Sequence, residues 1–479
     1  MEGREPLHAY TSGLIARPPR APDRASLASA VRVALPIWVA GAAALFYGAV
    51  SIFRHDRFGS SGYDLGIFDQ TIWGYSRFEV VRNTIKGTPN LLGDHFHPAL
   101  MLLAPAYWIW DDARVLLVVQ ALLLAAASLP IFYWGRQQLG TAAGAAAQLA
   151  FLVFWGVLAG VIFDFHELAL AVPAISFGLW ALLERRTRLF AAMLVLGCLA
   201  KEDIALTFAA MGIYALVVQR RWRFGLVVTA ICAAWFAFVV EVVIPEISGR
   251  RYHYWDYPGL GRNWTAATVT LLERPYRALT LAFDRTAKVT TLLATFGAWL
   301  FLPLASPLLL VALPTLFERF WAKNPTFWST GYQYSLPVSP VLAFAAIDGA
   351  RRLGPYSRRL LVAAAATGIV LSAFVVRPLE ELGDLMSAQR AALSDSCLDE
   401  VPPNAPVAAS ESLVPHLSHR LHVRPLARES GETYLAVSHE ERVDQPLLRR
   451  ALAGRPIPPR NVRYRLVCQR GAVSVFEAR

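Results

Sequence analysis

Apolar runs about as long as a bilayer is thick constrain this chain more than any other feature. The first covers residues 33–53, and further runs follow at 115–134, 141–162, 168–183, 189–200, 204–218, 224–244, 289–302, 304–320, 336–347 and 360–376. Read as crossings, they predict an α-helical polytopic membrane protein with about eleven spans, several shorter than the ~20 residues a straight span needs. Composition agrees: 55% of the residues are hydrophobic, 17% are charged and mean hydropathy is +0.40. Charged residues of a soluble globule run near roughly a quarter, so that class is excluded.

The charge of +11 has an explanation in orientation. Lys and Arg sit in short clusters between apolar runs, and no basic stripe interleaved with aromatics suggests nucleic acid. The tail 1–32 is polar and carries Arg4, Arg17, Arg20 and Arg24, while the run behind it is longer than a signal-peptide core. It reads as an uncleaved first span with a cytoplasmic N-terminus. Alternating sides then puts Arg136, the group Arg185, Arg186 and Arg188, the group Arg220, Arg221 and Arg223, and Arg351, Arg352, Arg358 and Arg359 in the cytoplasm. This holds only if the short segment 97–110, interrupted by Pro98 and Pro105, does not cross. It is expected to lie at the outer interface, which suits Tyr107, Trp108 and Trp110.

A membrane domain 33–377 is thus followed by a polar stretch, 378–479, the size of a small domain and expected outside. Short strands are predicted at 407–409, 421–423, 434–437, 463–468 and 472–476, with helical pieces at 411–418 and 440–452, giving a small extracytoplasmic α/β domain. Cys397 and Cys468 would share an oxidising compartment there, as a disulfide or as two free thiols. Cys198 and Cys232 lie in apolar runs as core thiols, and no CxxC or CxxH spacing offers a structural zinc site.

The same orientation gathers the ionisable residues at the outer side. Asp64 and Asp69 lie in the first outer loop, with Asp94, His95 and His97 further along it. Asp164, His166 and Glu167 occupy the second outer turn, and Lys201, Glu202 and Asp203 the third. Arg250 and Arg251 with Tyr252, Tyr254 and Trp255 come later, then Trp328, Tyr332 and Gln333. Charges near hydrocarbon are costly unless paired or lining a wet cavity, so those in tight turns are candidates for function. A helix starting near Tyr63 would set Asp64 and Asp69 about 140° apart around its axis, so only one faces a reacting group. Such a carboxylate can act as general base if burial raises its pKa; its ordinary role is a helix cap or an ion pair. The Asp94, His95, His97, His166 and Glu167 group allows a divalent cation. Alternatively Lys201, the histidines and the Arg250-Arg251 pair hold an anionic phosphate. The aromatics suit a sugar ring or a membrane aromatic belt. No soluble cofactor is expected.

The stretches Asp64-Leu65-Gly66-Ile67-Phe68-Asp69-Gln70, Gly93-Asp94-His95-Phe96-His97-Pro98, Phe163-Asp164-Phe165-His166-Glu167, Lys201-Glu202-Asp203 and Gly331-Tyr332-Gln333-Tyr334 resemble a bacterial family of predicted membrane proteins known only as a domain of unknown function. Its layout is similar to that of the GT-C glycosyltransferases. The resemblance implies a plasma-membrane enzyme that moves a sugar from a polyprenyl-phosphate donor to a glycan or lipid acceptor of the cell envelope at the outer face. It implies an Asp of the first loop, by position Asp64, as the base. At that position the chain lacks the adjacent Asp-Asp or Asp-Glu pair of many such enzymes, which leaves the choice between Asp64 and Asp69, and any metal, open. A transporter or lipid flippase, or a metal-dependent lipid- or phosphate-modifying enzyme, is the competing expectation.

Overall fold

In a computed structural model of the protein, residues 24–376, 382–428 and 431–479 are described. Arg4, Arg17 and Arg20 of the tail, and the expected domain boundary at 377–378, lie outside them. All eleven apolar runs form helix, but they do so at different lengths. Ala34–His55, Arg114–Leu139, Trp222–Ser248 and Ser357–Val375 are long and apolar enough to cross a membrane. Thr141–Leu152 and Trp155–Phe163 make a fifth span if taken together, bent by 41° where Phe154 turns extended.

The eleven-span expectation is therefore not reached by length. Leu168–Leu183, Thr187–Ala200 and Ile204–Val217 are apolar but shorter, and Thr286–Gly297, Leu309–Trp321 and Val338–Arg352 are short as well. Burial explains how a short helix is tolerated. Leu168–Leu183 and Val338–Arg352 are buried along nearly their whole length, so other helices, not lipid, surround them. The long helices Ala34–His55, Trp222–Ser248 and Ser357–Val375 are each only 28% buried and form the periphery. Segment 97–110 is a 3₁₀ helix, Pro98–Trp108. Trp108 and Trp110 are exposed on it as expected, but Tyr107 is buried; its hydroxyl has an acceptor inside the protein, which outweighs the interface.

The C-terminal part is a five-stranded sheet in the order β2-β1-β3-β5-β4, built from β1 (Val407–Ala409), β2 (Val423–Pro425), β3 (Tyr434–Ser438), β4 (Tyr464–Arg470) and β5 (Val473–Ala478). β1 pairs parallel with β2 and β3, and β5 pairs antiparallel with β3 and β4. β2 starts two residues later than its apolar pattern suggested, where Thr84 of the loop after the first long helix accepts the Val423 N–H at 3.2 Å and donates to its carbonyl at 2.7 Å. The helix Ala388–Leu398, unforeseen in the sequence, is capped by Ser387 and packs on β4 and β5. A disulfide between Cys397 and Cys468, Cα atoms 5.7 Å apart, ties this helix to β4. Cys198 and Cys232 are buried free thiols.

Candidate active site

The site begins where the first long helix ends. Ser61 caps a wide turn, Gly62–Gly66, that leads into the helix Ile67–Ser76. The C-terminal domain presses on this turn: the Gly62 N–H donates to the Glu411 carbonyl at 2.9 Å, and a β-carbon at Gly62 would stand 2.8 Å from Val414 and 2.9 Å from the Glu411 carboxylate. Only glycine fits. Asp64 sits in the turn, and burial, then the charges of Asp164 and Glu167, push its carboxyl up to about 8. Lys86 opposes that shift.

Asp69 goes elsewhere. It is fully buried, and its oxygens accept hydrogen bonds from Tyr107 Oη at 2.6 Å and Ser418 Oγ at 2.5 Å, with His419 Nε2 at 3.0 Å. These partners engage both carboxylate oxygens and fix the first loop to the C-terminal domain. Asp64 and Asp69 thus serve different surroundings, as the helical angle between them suggested.

The second turn ends the helix Trp155–Phe163 at Asp164, whose φ of 126° is a conformation that favours glycine. Its carbonyl accepts from Gln120 Nε2 at 2.7 Å, its carboxylate accepts from the Ser61 N–H at 2.8 Å, and Arg54 Nη1 lies 3.6 Å away. Burial pushes the carboxyl up to about 6, against the pull of Arg54. Asp164 thus holds the start of the Asp64 turn.

Next to it stands a buried ion chain. Glu167 lies 2.7 Å from His166 Nδ1 and 3.3 Å from Lys201 Nζ, and Lys201 is 3.8 Å from Asp203. Burial alone would raise Glu167, but His166 and Lys201 hold it well below the usual carboxylate range. Burial likewise disfavours the Lys201 charge, yet Asp203, Glu167 and Glu202 outweigh it and raise its pKa. Glu202 accepts the Phe96 N–H at 3.0 Å and lies 2.6 Å from His95 Nδ1; this charge raises His95 against burial. His95 stacks on Tyr254 at 4.1 Å. Tyr254 donates to Asp94 at 2.6 Å, and Lys86 pairs with Asp94 at 3.2 Å.

These groups open onto a cavity of about 560 Å³ whose wall includes His95, His166, Lys201, Glu202, Asp203 and Tyr334. Turns spread along the chain from His95 to Tyr334 thus meet around one space. Among the described residues no three His, Cys, Asp or Glu side chains converge as metal ligands; Asp94, Glu167, Glu202 and Asp203 are matched to His or Lys instead. His97 is buried behind the wall with Nδ1 unpartnered, its imidazole pushed down to about 4 by burial. Gln333 is buried and Tyr332 packs on Phe163; neither lines the cavity, and Arg251 is exposed beside it. Three participants had no clear signal in the sequence. Glu318 lines the cavity from within an apolar run, Lys86 is a lone lysine in a polar loop, and Gln120 lies inside a helix.

The family model of a predicted membrane protein, DUF2079, matches residues 54–460. The chain belongs to that family. None of the curated protein sequences matches it. Among solved structures this DUF2079 chain is similar to ArnT from Cupriavidus metallidurans bound to undecaprenyl phosphate, with a TM-score of 0.57 at 14% identity over 92% of this chain and 97% of that one. The apo form of the same protein gives 0.55 at 15% identity over 94% and 98%. An Archaeoglobus fulgidus oligosaccharyltransferase gives 0.44 at 14% identity over 83% of this chain and 64% of that one. The DUF2079 chain shares with ArnT a fold, that of the GT-C glycosyltransferases.

Proposed function

We propose that the protein is a membrane glycosyltransferase that moves a sugar from a polyprenyl-phosphate donor to a cell-envelope acceptor at the outer face of the bacterial plasma membrane. The observation that carries this reading is Asp64: a carboxyl of raised pKa, in a glycine-dependent turn within range of the charges of Asp164, Glu167 and Lys86, in a chain with the fold of a protein that binds undecaprenyl phosphate. In the step, ionised Asp64 takes the proton of an acceptor hydroxyl as the oxygen bonds to the anomeric carbon. The anomeric carbon–oxygen bond breaks on the opposite face, polyprenyl phosphate leaves with the electron pair, and the anomeric configuration inverts.

Asp69 is a positioning residue in this scheme, since its oxygens are engaged by Tyr107, Ser418 and His419. Lys201 is already matched by Glu167 and Asp203 and Lys86 by Asp94, so the exposed Arg250 and Arg251 supply the charge for the phosphate. The orientation that accompanies the proposal has the N-terminus cytoplasmic, the short buried helices completing about eleven crossings within the bundle, and the sheet domain outside. The test is to incubate purified protein with radiolabelled polyprenyl-phosphate sugars and envelope glycans. Label should pass to acceptor with wild type and not with Asp64→Asn. Absence of transfer across a broad donor panel, with labelled solute accumulating in proteoliposomes, would replace the proposal with transport.

A further inference from the structure

The charges in the cavity wall limit what can enter it. The wall holds the carboxyls of Glu202, Asp203, Asp256 and Glu318 against one lysine, Lys201, and no arginine lines it among the described residues. Glu202 is matched by His95 at 2.6 Å, and Asp256 accepts the Asn324 N–H at 2.6 Å. Lys201 is held between Glu167 and Asp203. That leaves Glu318, which lines the same space as Asp203. Two carboxyls in one poorly solvated site do not both ionise readily, so together they present both a donor and acceptors. Oδ1 of Asp203 is buried with no partner of its own. The approach of the two acids is built into the helices: further along the same pair, the hydroxyls of Thr207 and Thr315 lie 3.4 Å apart.

Trp255, Trp264, Trp321, Tyr252 and Tyr257 line the same space. Flat aromatic faces with a few fixed hydrogen-bonding groups suit a ring that is apolar on its faces and hydroxylated at its edge. A second anion would enter a poorly solvated site beside these acids with no free cation to meet it, where like charges repel far more than in water.

We infer that this cavity receives an uncharged, polyhydroxylated glycosyl group, held through its hydroxyls by Asp203 and Glu318 against the tryptophans, and that it rejects sugars bearing a carboxylate. The donor phosphate then stays at the rim. This inference rests on the transfer reading above and narrows its substrate class.

The test measures binding separately from transfer, using the full chain purified in detergent with radiolabelled polyprenyl-phosphate hexose and the matching hexuronate. Wild type should bind the hexose about tenfold or more tightly over the hexuronate. Glu318→Gln, nearly isosteric and checked for an unchanged melting temperature, should narrow that ratio, and Asp203→Asn/Glu318→Gln should narrow it to about threefold or less. Equal or tighter binding of the hexuronate by wild type, binding of neither lipid, or full discrimination in the double variant would overturn the inference. Selective binding of the hexose without transfer to any acceptor would uphold it and remove the transfer reading.

Discussion

Asp69 accepts a 2.5 Å hydrogen bond from the hydroxyl of Ser418, 349 residues further along the chain. With Tyr107 and His419 on the same carboxylate, this joins the helix that follows the Asp64 turn to the sheet domain. Gln70 reinforces the joint by donating to the Arg420 carbonyl at 2.9 Å. Asp69→Ala would leave buried donors without an acceptor, at a cost on the order of 3 kcal/mol. The expected result is a lower melting temperature in detergent and faster protease release of the C-terminal domain. Ser418→Ala, which spares the ion pair with His419, should cost about 1 kcal/mol. Equal effects of the two substitutions would contradict the arrangement.

The raised carboxyl of Asp64 fixes the pH dependence. If the ionised form is the base, kcat/KM should rise with pH and level off above about 8, falling about tenfold per unit below that point. Stability runs the other way. Between the ordinary value of 3.8 and about 8, the folded state binds the Asp64 proton and the unfolded state does not, so this group's contribution is lost as pH rises through that window. Asp64→Asn should therefore abolish transfer yet raise the melting temperature relative to wild type at pH 9. A pH profile centred near 4 would show that Asp64 is not the base.

Lys201 and Glu167 offer a double-mutant cycle. Each is buried and lies 3.3 Å from the other, so removing one unbalances the buried chain, leaving Glu167 only His166 or Lys201 only Asp203 as its remaining paired charge. Lys201→Met should destabilise by about 3–5 kcal/mol. Lys201→Met/Glu167→Gln should be less destabilised than the sum of its single variants by about 1 kcal/mol or more. Additive melting shifts would mean that the two groups do not act as a pair.

What the sequence revealed follows from the range of each signal. Apolar runs and short alternating strands are local, so the helices and β1, β3 and β5 stand close to where their patterns put them. Asp64 and Asp69 look alike in one motif, yet one stays in the turn Gly62–Gly66 and the other reaches Ser418, because no local pattern encodes a partner 349 residues away. Glu318 was hidden for the opposite reason: the apolar run around it reads as a span, and only the packing of Leu309–Trp321 against Ile204–Val217 brings it to Asp203. Tyr107 resembled a belt residue until its hydroxyl found Asp69.

The disulfide and the arginine clusters predict one orientation by independent routes. Cys397–Cys468 requires an oxidising compartment for the sheet domain, and closing its 71-residue separation contributes about 4 kcal/mol on the chain-entropy account. Arg351, Arg352, Arg358 and Arg359 require the opposite side for the turn that contains Tyr356. Native cysteines are buried or bonded, so an introduced thiol labels over a low background. His253→Cys, on a side chain 57% exposed at the cavity rim, should react with a membrane-impermeant maleimide on intact cells. Tyr356→Cys, 62% exposed, should react only after permeabilisation. The reverse pattern would place Asp64 and the cavity on the cytoplasmic side, where the extracytoplasmic acceptor proposed for Asp64 is not available.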